Sequence, residues 1–335
     1  MKLEVTLSAG MVQSADLRSD RPVSLCRALL GRNAEDLPAA FERLYALCGR
    51  AHRIAARFAI DAARFRESTD AARRRAVRDL AAERAGEHLR SSFTTAVALQ
   101  LAVEPAELQA VRAAVAATRP GAEGSGLAAA LGVLGLDGEP PRPASWAGRM
   151  LAEAGAHADA AAPVDALSPA DDPAVLAALA ASGGAYAARP HLPSRRPETG
   201  PLARCGGTGA PRDRLAARFA EIRHAAAVLS DQAEDRPADW IASETLPGGT
   251  GFAAVETPRG RMHHLAAVDA GDRVTGYAVL APTEWNFHPD GPLIHALRGR
   301  RVGSGAAAEA RIRWLVGLFD PCVACALELR EAAYA

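Results

Sequence analysis

Two cysteines stand at CxxC spacing in Asp320-Pro321-Cys322-Val323-Ala324-Cys325, and far upstream Cys48 is followed four residues later by His52. Thiols so spaced serve as a redox dithiol, as half of a zinc site or as half of another metal site. A thioredoxin-type pair opens a helix early in a βαβ unit, whereas this pair follows a long helical pattern. Zinc takes about four ligands, and Cys48, His52, Cys322 and Cys325 would supply them if the two ends of the chain met. Spacing alone leaves both a metal site and no site open. Cys26 and Cys205 bring the cysteines to five. Five is too few and too scattered for a disulfide framework, so free thiols or metal ligands are expected.

Other candidates are weaker. Gly206-Gly207-Thr208-Gly209 and Gly248-Gly249-Thr250-Gly251 lack the Lys-Ser/Thr of a phosphate loop and read as turns. His263 and His264 alternate within a strand pattern, so only one can face a site, and a hydrogen-bonded or surface role is expected for both. No Ser-His-Asp or paired-carboxylate arrangement stands out.

The elements that must position these residues are mainly helical. Of 335 residues, 49% are hydrophobic but only 5% aromatic, and the small apolar side chains favour helices over a strand-rich sandwich. Lys2 to Leu7 alternates as a half-buried strand, turning near Gly10 into a partner at Met11 to Leu17. Asp36 and Pro38 open a helix whose buried face runs Phe41, Leu44, Tyr45 and Cys48. Further helical patterns run through Ile54, Phe58, Ala62 and Phe65, through Val77 and Leu80, and through Leu108, Val111 and Val115. Residues 119–126, 139–143 and 154–162 look like loops, and 119–170 reads as a variable, partly loop-like region of one domain spanning 1–335. A helix through Leu215, Phe219, Ile222, Ala226 and Leu229 follows. Phe252 to Val255, Met262 to Val268 and Val274 to Leu280 then read as strands, the last two joined by an Asp269-Ala270-Gly271-Asp272 hairpin. A final helix through Ile312, Leu315 and Val316 leads to the CxxC.

Charge excludes some partners. Lys plus Arg equals Asp plus Glu at 39 each, which leaves no electrostatic footprint for nucleic acid, and Ala72 to Arg75 reads as a solvated helix face. No stretch has the length and apolarity of a membrane span or a signal peptide, so a cytoplasmic protein that does not contact membrane is expected.

Six ordered blocks narrow the reading: Val255 to Gly260, His264, Tyr277, Ala281-Pro282-Thr283-Glu284-Trp285-Asn286, Ala296-Leu297-Arg298-Gly299, and Asp320 to Cys325. Together they resemble the C-terminal part of the catalytic large subunit of nickel-iron hydrogenases. Gly200-Pro201-Leu202-Ala203-Arg204 extends the match, and Cys48-Gly49-Arg50-Ala51-His52 is similar to the second half of that family's N-terminal CxxCxxxH motif. The resemblance implies an α+β, mainly helical fold: a long helix bundle with small peripheral sheets, in which the N- and C-terminal motifs meet at the centre.

It also implies roles. In the family, two cysteines bridge nickel to an iron carrying carbon monoxide and two cyanides, and two more bind nickel alone. By motif, Cys48 and Cys325 match the bridging pair and Cys322 matches one nickel-only ligand. The other nickel-only position is Tyr45, whose hard phenol is a poor substitute for a soft thiolate. Thr257, Pro258, Arg259, Met262, Ala281, Pro282 and Thr283 match the residues that surround the diatomic ligands. A guanidinium and a hydroxyl there would give charge-assisted bonds to cyanide, and an apolar wall would accept carbon monoxide. His52 matches a donor to the bridging sulfur. Cys26 falls where the family carries its proton-transferring glutamate, and Glu328 stands where it has a histidine before a removable tail.

A chain that keeps the iron half and loses a nickel ligand resembles the HupK/HoxV-type hydrogenase accessory proteins. That resemblance implies a non-catalytic scaffold that binds or helps assemble an Fe(CN)2(CO) fragment, with nickel not expected, and passes it on. Its implied partners are a HypC/HupF-type chaperone, the iron-fragment synthesis complex and the recipient hydrogenase large subunit. The competing readings are a divergent active hydrogenase, and a metal-free or zinc-holding module that recruits the same chaperones.

Overall fold

Leu3, Val5 and Leu7 fall on the buried face of strand β1 (Lys2–Ser8), which pairs antiparallel with β2 (Met11–Arg18) as the alternation predicts. In this computed structural model, which describes residues 1–19, 23–122, 124–156, 163–233 and 238–332, the sheet has a third strand that the sequence reading missed. The segment directly after Cys325 pairs parallel with β1, from Lys2 opposite Ala326 to Leu7 opposite Glu331, giving the order β2-β1-β7 with β7 as Ala326–Glu331. The second sheet is antiparallel, β3-β4-β5-β6, with β3 Ile241–Leu246, β4 Thr250–Thr257, β5 Gly260–Val268 and β6 Val274–Leu280. β3 was not predicted. The other three strands and the β5–β6 hairpin match the period-two reading.

Helices make up the rest. The first half holds α1 (Leu37–Leu44), α2 (Gly49–Ala63), α3 (Asp70–Ala98), α4 (Pro105–Ala117), α5 (Leu127–Leu134) and α6 (Trp146–Ala156). The second holds α7 (Asp172–Ser182), α8 (Gly184–Ala188), α9 (Pro201–Cys205), α10 (Pro211–Leu229), α11 (Pro282–Asn286), α12 (Pro292–Leu297) and α13 (Gly305–Leu318). Within 119–170, α5 and most of α6 lie between the segments read as loops, and only the reading of 154–162 is corrected: Ala154 to Ala156 finish α6, and 157–162 fall outside the described residues. No described helix is long and apolar enough to cross a membrane.

One apolar core draws on both sheets and most helices, and α2 runs through it against the second sheet. The approach is close. A Cβ built on Gly251 of β4 would lie 2.1 Å from the Ala59 carbonyl oxygen and 2.2 Å from the Ala63 nitrogen, both backbone atoms of α2. Glycine is therefore required where helix and strand touch. Phe65, read as the next position on the face of α2, lies beyond the helix end at φ 57° and is 70% exposed.

Candidate functional site

Cys48 does not continue the face of α1. That helix ends at Leu44, which is 52% exposed, and Tyr45 adopts extended backbone. Cys48 then takes a left-handed conformation, φ 56° and ψ 24°, as the cap residue of α2, in a region that few residues other than glycine occupy. Its own side chain gives α2 no cap, and α3 supplies the missing acceptors from two successive turns. Glu87 accepts the Cys48 N–H at 2.7 Å, while Glu83 accepts the N–H groups of Arg50 and Ala51 at 2.7 and 2.9 Å. Two glutamate side chains thus meet the positive end of α2. Burial, with Glu87 adding to it, pushes the Glu83 carboxyl up to about 8 against the pull of its backbone donors.

Arg259 completes this cluster. It leaves the turn between β4 and β5, where Thr257 Oγ1 accepts its N–H at 3.1 Å. Its Nη1 donates to Cys48 Sγ at 3.1 Å and to Glu87, and its Nε donates to the Asp320 carbonyl at 2.9 Å. Asp320 also sits at positive φ, 48°, and Ser91 of α3 donates to its carboxylate at 2.9 Å. The two cysteine motifs therefore meet at one buried guanidinium. Burial alone would lower the Arg259 pKa, but Asp320, Cys48 and Glu87 raise it well above its ordinary value. Burial drives the Cys48 thiol well up, opposed by Arg259.

The other predicted residues divide into groups. Thr283, second residue of α11, faces Cys322 with Oγ1 3.0 Å from Sγ, where either atom can donate. Ala281 and Pro282 lead into that helix, and Met262 is fully buried opposite Val255. Pro258 lines, with Arg259 and Asp320, a space of about 20 Å³, room for one water. Cys325 lines a different cavity of about 220 Å³ with Leu3, Arg313 and Leu327, next to the Met1 ammonium, which donates to the Ala324 carbonyl at 3.2 Å. Burial raises its thiol pKa. Among the described residues, no group of three or more His, Cys, Asp or Glu side chains is arranged to hold a metal ion.

His52 belongs to an aromatic and imidazole stack. The Tyr45 ring lies on it with centroids 3.7 Å apart and planes 14° apart. His52 Nδ1 is 3.1 Å from His264 Nε2, and His264 Nδ1 is 2.8 Å from the Tyr277 hydroxyl. Both neighbouring histidines are fully buried, which corrects the surface alternative: His264 joins this stack and His263 Nε2 lies 3.0 Å from Asp172. Cys26, in the 3-10 turn Val23–Leu29, is half-buried, and burial raises its pKa to about 11. Cys205 ends α9 at the surface. All five cysteines are free.

Sequence reasoning missed Glu83, Glu87 and Asp320 as side chains that shape the site. A signal existed for the glutamates: Arg73, Arg74, Arg75, Arg78, Asp79, Glu83, Arg84 and Glu87 together spread charge around the circumference of α3, and a helix charged all round has buried charge whenever it is packed on more than one side.

The side chains brought together by these elements are thiol, guanidinium and hydroxyl, and comparison with known proteins gives the chain's relatives. Residues 201–328 match the nickel-dependent hydrogenase family. The chain is 34% identical to the hydrogenase expression/formation protein HupK of Rhizobium leguminosarum bv. viciae, over 99% of this chain and 96% of the relative. It is also 34% identical to HupK of Bradyrhizobium diazoefficiens, over 99% and 97%. A solved reduced, active Ni-Fe-Se hydrogenase from Desulfomicrobium baculatum superposes with a TM-score of 0.64 at 14% identity, covering 95% of each chain. The fold is that of the nickel-iron hydrogenase large subunit, as expected.

Proposed function

Because the chain belongs to the HupK family of hydrogenase expression/formation proteins, we propose that it is a maturation scaffold that receives or helps assemble an Fe(CN)2(CO) fragment and passes it to a hydrogenase large subunit. The observation that carries the reading is the bridge from Cys48 through Arg259 to Asp320, which joins both cysteine motifs at one buried point.

The residues suit this cargo in kind. Cys48 and Cys325 would be its iron-ligating thiols, with Cys322 as a third. The Arg259 guanidinium and the Thr283 hydroxyl are donors of the type that cyanide accepts, while Met262 and Pro282 offer apolar contact for carbon monoxide. They are not held open for it. Arg259 has room for one water beside it and donates to Cys48, so iron binding at that thiol would compete with this hydrogen bond. A site that must be opened to be filled suits temporary custody. Tyr45 supports the loss of nickel: its ring is stacked on His52, so this position offers an aromatic face where the family has a thiolate.

The reading implies that the cargo comes from a HypC/HupF-type chaperone and its synthesis complex. Infrared spectra of protein co-expressed with the maturation proteins test it. Cyanide and carbonyl stretching bands are expected, with iron present and nickel well below one per chain. A spectrum without those bands would sink the proposal.

A further inference from the structure

The block Ala296-Leu297-Arg298-Gly299, with Arg300 and Arg301 after it, plays no part in the cluster around Arg259 and walls a separate cavity of about 620 Å³. Five guanidinium groups, Arg196, Arg214, Arg298, Arg300 and Arg301, line it against two carboxylates, Asp165 and Glu198. Both carboxylates are engaged: Glu198 accepts from Arg214 at 2.8 Å, and Asp165 accepts from Arg195 Nε at 2.9 Å. Among the described residues, the ion-pair partner of Arg298 is the exposed Asp290, at 3.7 Å. Among the described residues, Arg301 forms no ion pair, and the buried Nε of Arg196 has no hydrogen-bond partner.

Positive charge thus exceeds negative charge in a concave space, where low-dielectric walls concentrate the field. No Phe, Tyr or Trp among the described residues lines the space, and His295, which does, is hydrogen-bonded to Asp290 at 3.2 Å. Guanidinium forks match the planar oxygens of carboxylate and phosphate, and the volume lies in the range of small-ligand pockets. We propose that this cavity binds a multivalent oxyanion bearing carboxylate or phosphate groups, on Arg196, Arg298 and Arg301. Its wall is shared. Glu198 and Arg214 also line the small space beside Arg259, and the Arg214 guanidinium lies 3.8 Å over the ring of Phe319, the residue before Asp320. One ion pair separates the anion site from the cysteine cluster.

Calorimetric titration of the full chain at low salt tests this with three probes: citrate, pyrophosphate and hexaglutamate. Citrate or pyrophosphate binding identifies a free small anion, and hexaglutamate binding alone identifies an acidic segment of a partner. In either case R298A/R301A, which removes two exposed groups, is expected to weaken binding by at least about tenfold. The same double change at the exposed Arg74 and Arg75 of α3 is expected to leave it unaltered. Failure of all three probes, unchanged affinity in R298A/R301A, or equal loss in R74A/R75A overturns the proposal.

Discussion

Arg259 Nη1 donates to Cys48 Sγ across 3.1 Å while the same group also binds Glu87. Removing the guanidinium leaves the Glu87 carboxylate buried beside a thiol. Breaking one half of a buried pair costs about 3–5 kcal/mol, most of it the uncompensated charge. Arg259→Met should lose that much in urea unfolding, and Arg259→Met/Glu87→Gln should recover a substantial part. A single variant as stable as the parent would show that the two charges do not depend on each other.

The cysteines should separate by role. Cys48→Ala or Cys325→Ala is expected to abolish iron retention after co-expression with the maturation proteins, whereas Cys26→Ala and Cys205→Ala should leave it unchanged. Iron content with the infrared bands measures this. Retention by the Cys48 variant would show that the thiol assignment is wrong.

Acid should destabilise the fold through its buried histidines. Burial lowers the pKa of His88, His263 and His264 below the ordinary 6.5. As pH falls past 6.5 the unfolded chain takes up protons that the folded chain refuses, so stability drops. Glu83 acts oppositely: its folded value of about 8 lies above the ordinary 4.5, so its contribution is present at low pH and is lost as pH rises to about 8. Three histidines against one carboxyl make the urea midpoint fall from pH 6.5 to 5.5. His264→Gln should flatten that slope.

Close packing of α2 on β4 gives a contrast between two glycines. Gly251→Ala drives a Cβ into immobile backbone and should cost at least about 1–3 kcal/mol in thermal unfolding. Gly317→Ala, in α13 with nothing within 4 Å of its Cβ, should instead stabilise by about 0.5–1 kcal/mol. Equal effects at both positions would remove the argument for contact at Gly251.

Much of this was legible in the sequence, and the misses share a cause. Leu3, Val5 and Leu7 alternate cleanly, and α10 and the β5–β6 hairpin carry full periodic and turn signals. Cys48 was misplaced because the apolar spacing of α1 runs on through Tyr45 and Cys48 with no glycine or asparagine to mark the left-handed residue. β7 was missed because its partner is at the other end of the chain. Asp320 carries no local signal of its role, and for Glu87 the sequence shows only that α3 buries charge, since each acts through Arg259, which neither adjoins in sequence. Motif resemblance located the cysteines and Arg259, but only the folded chain shows what holds them apart or together.

The parallel pairing of β1 with β7 also sets an order in time. A strand made among the first residues keeps one edge unpaired until Ala326–Glu331 has been synthesised, long after the helices between have begun to pack. The CxxC lies immediately before that last strand. Docking β7 is therefore the step that fixes Cys325, the thiol proposed as an iron ligand, beside Leu3 and Leu327.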